Sequence, residues 1–218
     1  MSRIQAIFFD IGNVLVKLRT EAFLEAMAAN CDARWDKAAI LAAIREPEGP
    51  HVDYEKGRIG GPQFHAHLVQ RFGLRLDYQA WLPVWNSYFE PNRPMEALIA
   101  RLKGQARFFA LSNTNAEHLA AMKRNFRVLD GFEGIVASNE VGHRKPEPAM
   151  FAAALQRAGV KAGEALYLDD IAPFTEAARA LGWNAFHYSY NDEALRQALL
   201  GYGFELPSLD GRSSAMFC

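Results

Sequence analysis

Four short apolar runs in this chain each stop at a polar residue capable of chemistry. Ile7-Phe8-Phe9 ends at Asp10, Phe108-Phe109-Ala110-Leu111 at Ser112, Ile135-Val136-Ala137 at Ser138, and Leu166-Tyr167-Leu168 at Asp169-Asp170. A run of this length bounded by turn residues has the signature of a buried strand, and an open parallel sheet places its ligand site at the carboxyl ends of its strands. One sheet would therefore gather a carboxylate, hydroxyls and a carboxylate pair into one crevice. With Lys145 nearby, that set matches what metal-assisted phosphoryl transfer requires.

The pattern between these strands sets the architecture. After Val16 the strand signal stops, and helices are predicted over 21–30, 35–45, 62–72 and 78–89, with Thr20 placed to cap the first. The face carrying Trp81, Leu82, Trp85 and Phe89 reads as the core of a helical unit. His51, Tyr54 and Arg58 fall in a polar segment read as a loop with solvated side chains. From Pro94 onward helix and strand alternate with short connections, the mark of βαβ units and a parallel sheet. The expected fold is α/β: a Rossmann-like parallel-sheet core with helices on both faces, residues 1–16 and 92–218, and a helical cap, residues 17–91, inserted after the first strand. The joints of the insert, near 17–20 and at Glu90-Pro91-Asn92-Arg93-Pro94, lie beside the expected crevice, where hinges suit a lid. The tail from Pro207 to Cys218 lacks apolar periodicity and reads as frayed or weakly docked.

Composition narrows the function classes. The chain has 24 basic and 25 acidic residues, a net charge of −1, with no basic cluster or arm. This argues against nucleic-acid and membrane partners. No apolar stretch approaches ~20 residues, and the first strand follows Met1-Ser2-Arg3 directly, so a cytoplasmic protein is expected. Two cysteines, Cys31 and Cys218, supply neither a disulfide framework nor a thiolate metal site, although their pairing with each other stays open. His65 and His67 are two apart, not at the helical spacing of a zinc pair.

Each candidate also has an ordinary local reading. Asp10 precedes Gly12, which permits a sharp turn; its carboxylate is either a nucleophile toward phosphorus or a turn cap. Asp169-Asp170 repel unless a cation or protons intervene, which suits Mg²⁺, although Asp170 can also cap the helix that starts near Pro173. Ser112-Asn113-Thr114 can hold phosphate oxygens at a helix start or simply cap that helix. Lys145 lies between Arg144 and Pro146 in a loop stiffened by Pro146 and Pro148, which can aim its ammonium group.

Taken in order, FFDIGNVLV (8–16), ALSNTN (110–115), GHRKPEPAMF (142–151) and LYLDD (166–170) resemble the four motifs of the haloacid-dehalogenase-like (HAD) hydrolase superfamily, with order and spacing intact. The Asp-x-Gly-Asn-Val opening and the segment Tyr54-Glu55-Lys56-Gly57-Arg58-Ile59 are similar to the helical-cap subgroup of bacterial α-D-glucose-1-phosphate phosphatases and epoxide-hydrolase N-terminal phosphatase domains. The resemblance implies a phosphatase that hydrolyses a small phosphomonoester, a sugar phosphate being the first expectation, through an aspartyl-phosphate on Asp10. It implies that Ser112, with Asn113, binds the phosphoryl group and that Lys145 neutralises charge on Asp10 and phosphate. Mg²⁺ would be held by Asp10, the Gly12 carbonyl and Asp170, with Asp169 direct or through water. The implied partner is a small phosphorylated metabolite, and the implied assembly a monomer or homodimer.

Two departures stand out. Most phosphatases of the superfamily carry a second Asp, the acid and base of the reaction, where Gly12 stands here, as glycine does in the similar subgroup. Phe174 replaces the Asn or Asp that many relatives have after the acidic pair. The superfamily's metal-free 2-haloacid dehalogenases are the less favoured alternative, because Asp169-Asp170 would add negative charge beside the nucleophile. A receiver domain places its acidic pair first and spans only ~120 residues. A silent binding or scaffold protein is the remaining alternative, motivated by Gly12.

Overall fold

The computed structural model describes residues 3–206. The expectation for the 207–218 tail and the question of Cys218 lie outside the described residues.

In chain order, strand β1 (Ala6–Phe9) is followed by the short β2 (Val16–Leu18), and then by helices α1 (Thr20–Ala29), α2 (Lys37–Ile44), α3 (Pro50–Glu55), α4 (Gly61–Phe72) and α5 (Tyr78–Asn86). Next come β3 (Phe89–Pro91), α6 (Arg93–Leu102), β4 (Arg107–Ser112), α7 (Ala116–Asn125), β5 (Gly134–Ala137), the single turn α8 (Ser138–Val141) and α9 (Pro148–Ala158). The last elements are β6 (Ala165–Asp169), α10 (Ala172–Ala180), β7 (Asn184–His187) and α11 (Asp192–Gly201). The main sheet runs β5-β4-β1-β6-β7 with every pair parallel.

The period-2 alternation of side chains splits the strand residues between two cores. Ile7, Phe9, Phe108, Ala110, Leu166 and Leu168 face a layer that includes Met95, Ile99, Leu195 and Leu199 of α6 and α11. Ala6, Phe8, Phe109, Leu111, Ala165 and Tyr167 face the other, with Met150, Phe151 and Ala154 of α9 and Ala178 of α10. Burial on both faces explains why these strands read as continuous apolar runs. The central β1 is completely enclosed.

Helices α1 to α5 surround a third apolar core that holds Phe23, Met27, Tyr54, Phe64, Trp81 and Trp85. Each such side chain, fully buried, contributes about 1.5–3 kcal/mol, which gives the helical segment a stabilising centre of its own. Its two connections pair as an antiparallel ribbon, Val16 with Pro91, Lys17 with Glu90 and Leu18 with Phe89. Asn92 fastens the ribbon's base by donating from Nδ2 to the Val14 carbonyl at 2.7 Å.

Several local expectations change. Thr20 opens α1 without capping it and instead pairs its hydroxyl with Tyr88 at 3.3 Å. Phe89, expected at the end of a helix, belongs to β3, because the pairing of Leu18 with Phe89 draws the chain into the ribbon after α5 stops at Asn86. The segment read as a polar loop contains α3, which starts with Pro50 at its first position, and Tyr54 is buried there. Cys31 is buried in the helical core. No helix among the described residues is long and apolar enough to cross a membrane.

Candidate active site

The parallel register sets the ends of β1, β4 and β6 side by side. Phe9 lies opposite both Ala110 and Leu168, so the residues that follow, Asp10, Ser112 and Asp169, emerge at one edge. Asp10 is tied there by its N–H to the Leu168 carbonyl at 2.8 Å. The carboxylates of Asp10, Asp169 and Asp170 lie within 4.8 Å of one another.

Lys145 reaches this edge from the loop between α8 and α9. Its buried ammonium donates to Asp10 Oδ1 and to Asp169 Oδ2, both at 2.7 Å. The aromatic faces of Phe174 and Tyr167 lie 5.2 and 5.6 Å from Nζ. Phe174 therefore packs beneath the lysine, a cation–π position. Tyr167 donates its hydroxyl to Asp169 Oδ2, and the Ile171 N–H donates to Asp169 Oδ1 at 2.7 Å. Asp170 accepts from Asn13 Nδ2 at 3.0 Å and from the Tyr190 hydroxyl at 2.9 Å. Asp170 does not cap α10, whose preceding residue is Ile171.

Electrostatics follow from this crowding. Burial lifts the Asp10 carboxyl to about 7; Lys145 pulls against it, and the Asp169 and Asp170 charges add to it. Burial alone would lower the Lys145 ammonium, yet Asp10 and Asp169 outweigh it and hold its pKa above the usual lysine value. One ammonium serves Asp10 and Asp169 while Asp170 stands beside them without a cation of its own, so the edge keeps an excess of carboxylate over positive charge. An all-oxygen donor set with that deficit fits a hard divalent cation.

Ser112 is buried at the end of β4, and the helix-cap role falls to Asn115, whose side chain accepts from the His118 N–H at 2.9 Å. Asn113 is engaged at both ends of its amide, accepting from the Lys145 N–H at 2.7 Å and donating to the Lys145 carbonyl at 3.0 Å. Its side chain thus positions the lysine loop. Ser138, which reads in the sequence only as a strand end, is fully buried; its hydroxyl accepts from the Thr114 N–H at 2.9 Å and donates to the Thr114 carbonyl at 3.0 Å. This clamp fixes the Ser112–Thr114 turn.

The helical segment is latched to this edge through Tyr54-Glu55-Lys56-Gly57. Tyr54 donates to Glu117 of α7, which also accepts from Tyr78 at 2.9 Å. Glu55 meets Arg144 at 2.7 Å as a charge contact without hydrogen-bond alignment, and Lys56 pairs with Glu147 at 2.7 Å. Gly57 has φ +67°, and a Cβ there would stand 2.2 Å from the Asn139 carbonyl oxygen. Only glycine fits that approach. Glu117 and Tyr190 lie outside the motifs, and their contacts, like that of Asn13 with Asp170, join segments distant in sequence, whereas Tyr167 reaches Asp169 within one motif.

Comparison with known proteins agrees with this arrangement. A family model described as haloacid dehalogenase-like hydrolase matches residues 4–182. The chain is 25% identical over 194 residues to a D-ribitol-5-phosphate phosphatase of Bacteroides thetaiotaomicron, covering 84% of this chain and 91% of that protein. It is 26% identical over 136 residues to a sesquiterpene phosphatase of Aspergillus oryzae, covering 62% of this chain and 69% of that one. Among solved structures, a wild-type HAD-family enzyme of B. thetaiotaomicron in complex with magnesium and inorganic phosphate superposes with a TM-score of 0.75 at 26% identity, covering 84% of this chain and 93% of that one. The chain belongs to the haloacid dehalogenase-like hydrolases.

Proposed function

We propose that this protein is a Mg²⁺-dependent phosphatase that hydrolyses a small phosphomonoester through an aspartyl-phosphate on Asp10. The observation that carries the reading is the cluster of the Asp10, Asp169 and Asp170 carboxylates, with the Lys145 ammonium bonded to the first two. The relatives named as phosphatases support it, as does the HAD-family structure that holds magnesium and phosphate. The names of the relatives set a polyol phosphate beside a terpenoid one. A sugar phosphate is therefore one candidate among esters of different polarity.

In this reading Asp10 supplies the nucleophilic oxygen. It attacks phosphorus, the bond from phosphorus to the ester oxygen breaks, and the departing oxygen keeps the electron pair and takes up a proton. Water then attacks the phosphorus of the aspartyl-phosphate, releasing inorganic phosphate and restoring the carboxylate. Lys145, held on Asp10 Oδ1, leaves the other carboxylate oxygen for the attack and offsets charge as the phosphoryl group arrives. Ser112, with the Asn113 backbone N–H, holds the phosphoryl oxygens, and the Asn113 side chain keeps Lys145 aimed. Asp10, the Gly12 carbonyl and Asp170 are the residues for Mg²⁺, with Asp169 direct or through water; the ion supplies charge screening between two anions. Gly12 offers no side-chain acid, so esters whose alcohol leaves readily are favoured. Residues 17–91 serve as a cap over a core of 1–16 and 92–218.

The test is phosphate release from p-nitrophenyl phosphate and a panel of metabolites, with and without Mg²⁺, for wild type and Asp10→Asn. Mg²⁺-dependent release that Asp10→Asn abolishes is expected. Metal-independent release unchanged by Asp10→Asn would overturn the mechanism, and silence across the panel would favour a binding role.

A further inference from the structure

The site continues upward into a chamber of about 210 Å³ between the helical segment and the sheet core. Gly12, Ser112 and Asn113 belong to both the chamber and the catalytic edge, so the organic part of an ester bound at Asp10 has this space to enter. A broader groove of about 590 Å³ near Arg93, Ile99 and Phe126 shares no residue with that edge.

The chamber walls are apolar and stiff. Phe23, Leu41, Ile44, Trp85, Tyr88 and Phe89 form the apolar side, away from the carboxylate edge. The rings brace one another: Phe23 meets Tyr88 edge-on at 5.0 Å and Trp85 at 5.5 Å, while His118 stacks on Trp85 at 4.7 Å and 13°. Such mutual packing fixes the rings before any ligand arrives.

Several polar groups of the walls are already engaged within the fold. His118 meets Asn115 Nδ2 at 3.1 Å through one ring nitrogen and the Trp85 carbonyl at 3.0 Å through the other. The Tyr88 hydroxyl pairs with Thr20. Glu55 is held by Arg144, and His51, kept toward its neutral form by burial, stands 3.8 Å from Glu55. Arg45, exposed at the rim, and the hydroxyls of Ser112 and Thr114 beside the carboxylate edge remain. A polyol confined here would leave most of its hydroxyls without partners, whereas an apolar body would exchange water for ring and methyl surface. The space equals roughly seven water volumes, enough for a body about the size of one six-membered ring.

We infer that the chamber selects phosphomonoesters of apolar, preferably aromatic, alcohols over esters of polyols. This rests on the phosphatase reading above and names its substrate class. The decisive pair is benzyl phosphate and ribitol 5-phosphate, both esters of primary alcohols, so a large intrinsic leaving-group difference does not decide the outcome. Benzyl phosphate should have a kcat/KM at least ~10-fold higher, carried mainly by KM. Leu41→Gln with Ile44→Gln, two half-buried positions on α2, should shrink that ratio at least ~3-fold while the far-ultraviolet circular dichroism stays unchanged.

Ribitol 5-phosphate turned over as well as or better than benzyl phosphate would overturn the inference and leave the phosphatase reading standing. A full ratio in the folded double variant would also overturn it. If no ester of any kind is hydrolysed, the phosphatase reading falls and this inference falls with it.

Discussion

The catalytic edge and the chamber above it are built on opposite principles. At the edge, charged groups are buried and tied: Lys145 and Asp169 are less than 4% exposed, and each makes more than one polar contact. In the chamber, aromatic and aliphatic surface is left facing open space while the His118 ring turns both its nitrogens to partners within the fold. Buried charge is costly unless paired, so the edge tolerates little change. Apolar walls tolerate swaps of similar volume, so the chamber can change its ligand without losing the fold. On the function proposed above, the difference separates chemistry from selection.

The sharpest attempt to break this division is Lys145→Met. If the ammonium is part of the chemistry, phosphate release should fall ~10³-fold for every ester alike, whatever its alcohol. A loss confined to benzyl phosphate would place Lys145 in selection instead.

Gly12→Asp probes the same edge in the opposite direction. A Cβ at Gly12 would meet nothing closer than the Leu18 side chain at 3.5 Å, ordinary contact, so the substitution fits the backbone. The new carboxyl should raise kcat on benzyl phosphate by up to ~10² and change p-nitrophenyl phosphate little, since that leaving group needs no proton. Equal gains on both esters would show that Gly12 does not mark a missing acid.

The smallest effect belongs to the chamber wall and concerns stability. Burial, the dominant cause, pushes the His118 imidazole down to about 3, so the folded protein holds it neutral where the unfolded chain protonates near 6.5. The unfolded state thus binds the extra proton, and the stability this residue contributes is present above pH 6.5 and lost as pH falls toward 3. Denaturant unfolding followed from pH 6.5 downward should show a wild-type slope steeper by up to about 1.4 kcal/mol per pH unit than His118→Gln. Parallel slopes would mean that His118 is not held neutral.

Much of the edge is legible in the sequence because a parallel strand advertises both its burial and its end. Asp10, Ser112, Asp169 and Asp170 each follow an apolar run, and the register of β1 with β4 and β6 aligns three of those ends. Lys145 is a loop residue legible only through the motif that surrounds it, and the two hydrogen bonds between its backbone and the Asn113 side chain show how the fold holds it. Ser138 is visible as a strand end, but its clamp on Thr114 joins two loops and leaves no local pattern. The chamber is illegible for a related reason. Phe23, Ile44 and Trp85 sit on three different helices, and their periodicities report burial without distinguishing a packed core from the wall of a cavity. Tyr54 lies in a short segment that starts with Pro50 and carries charged neighbours, so its burial against Phe64 and Glu117 comes from tertiary packing that outweighs local polarity.

Asp10 is the proposed nucleophile, and the direct measurement is to trap the enzyme during turnover. After acid quenching of wild-type protein mixed with Mg²⁺ and benzyl phosphate or p-nitrophenyl phosphate, peptide mass spectrometry should find a phosphoryl group on the peptide containing Asp10, at the Asp10 carboxylate. Asp10→Asn should carry no such label. Sustained turnover with no phosphoryl group on Asp10 in wild type, or undiminished turnover by Asp10→Asn, would contradict it.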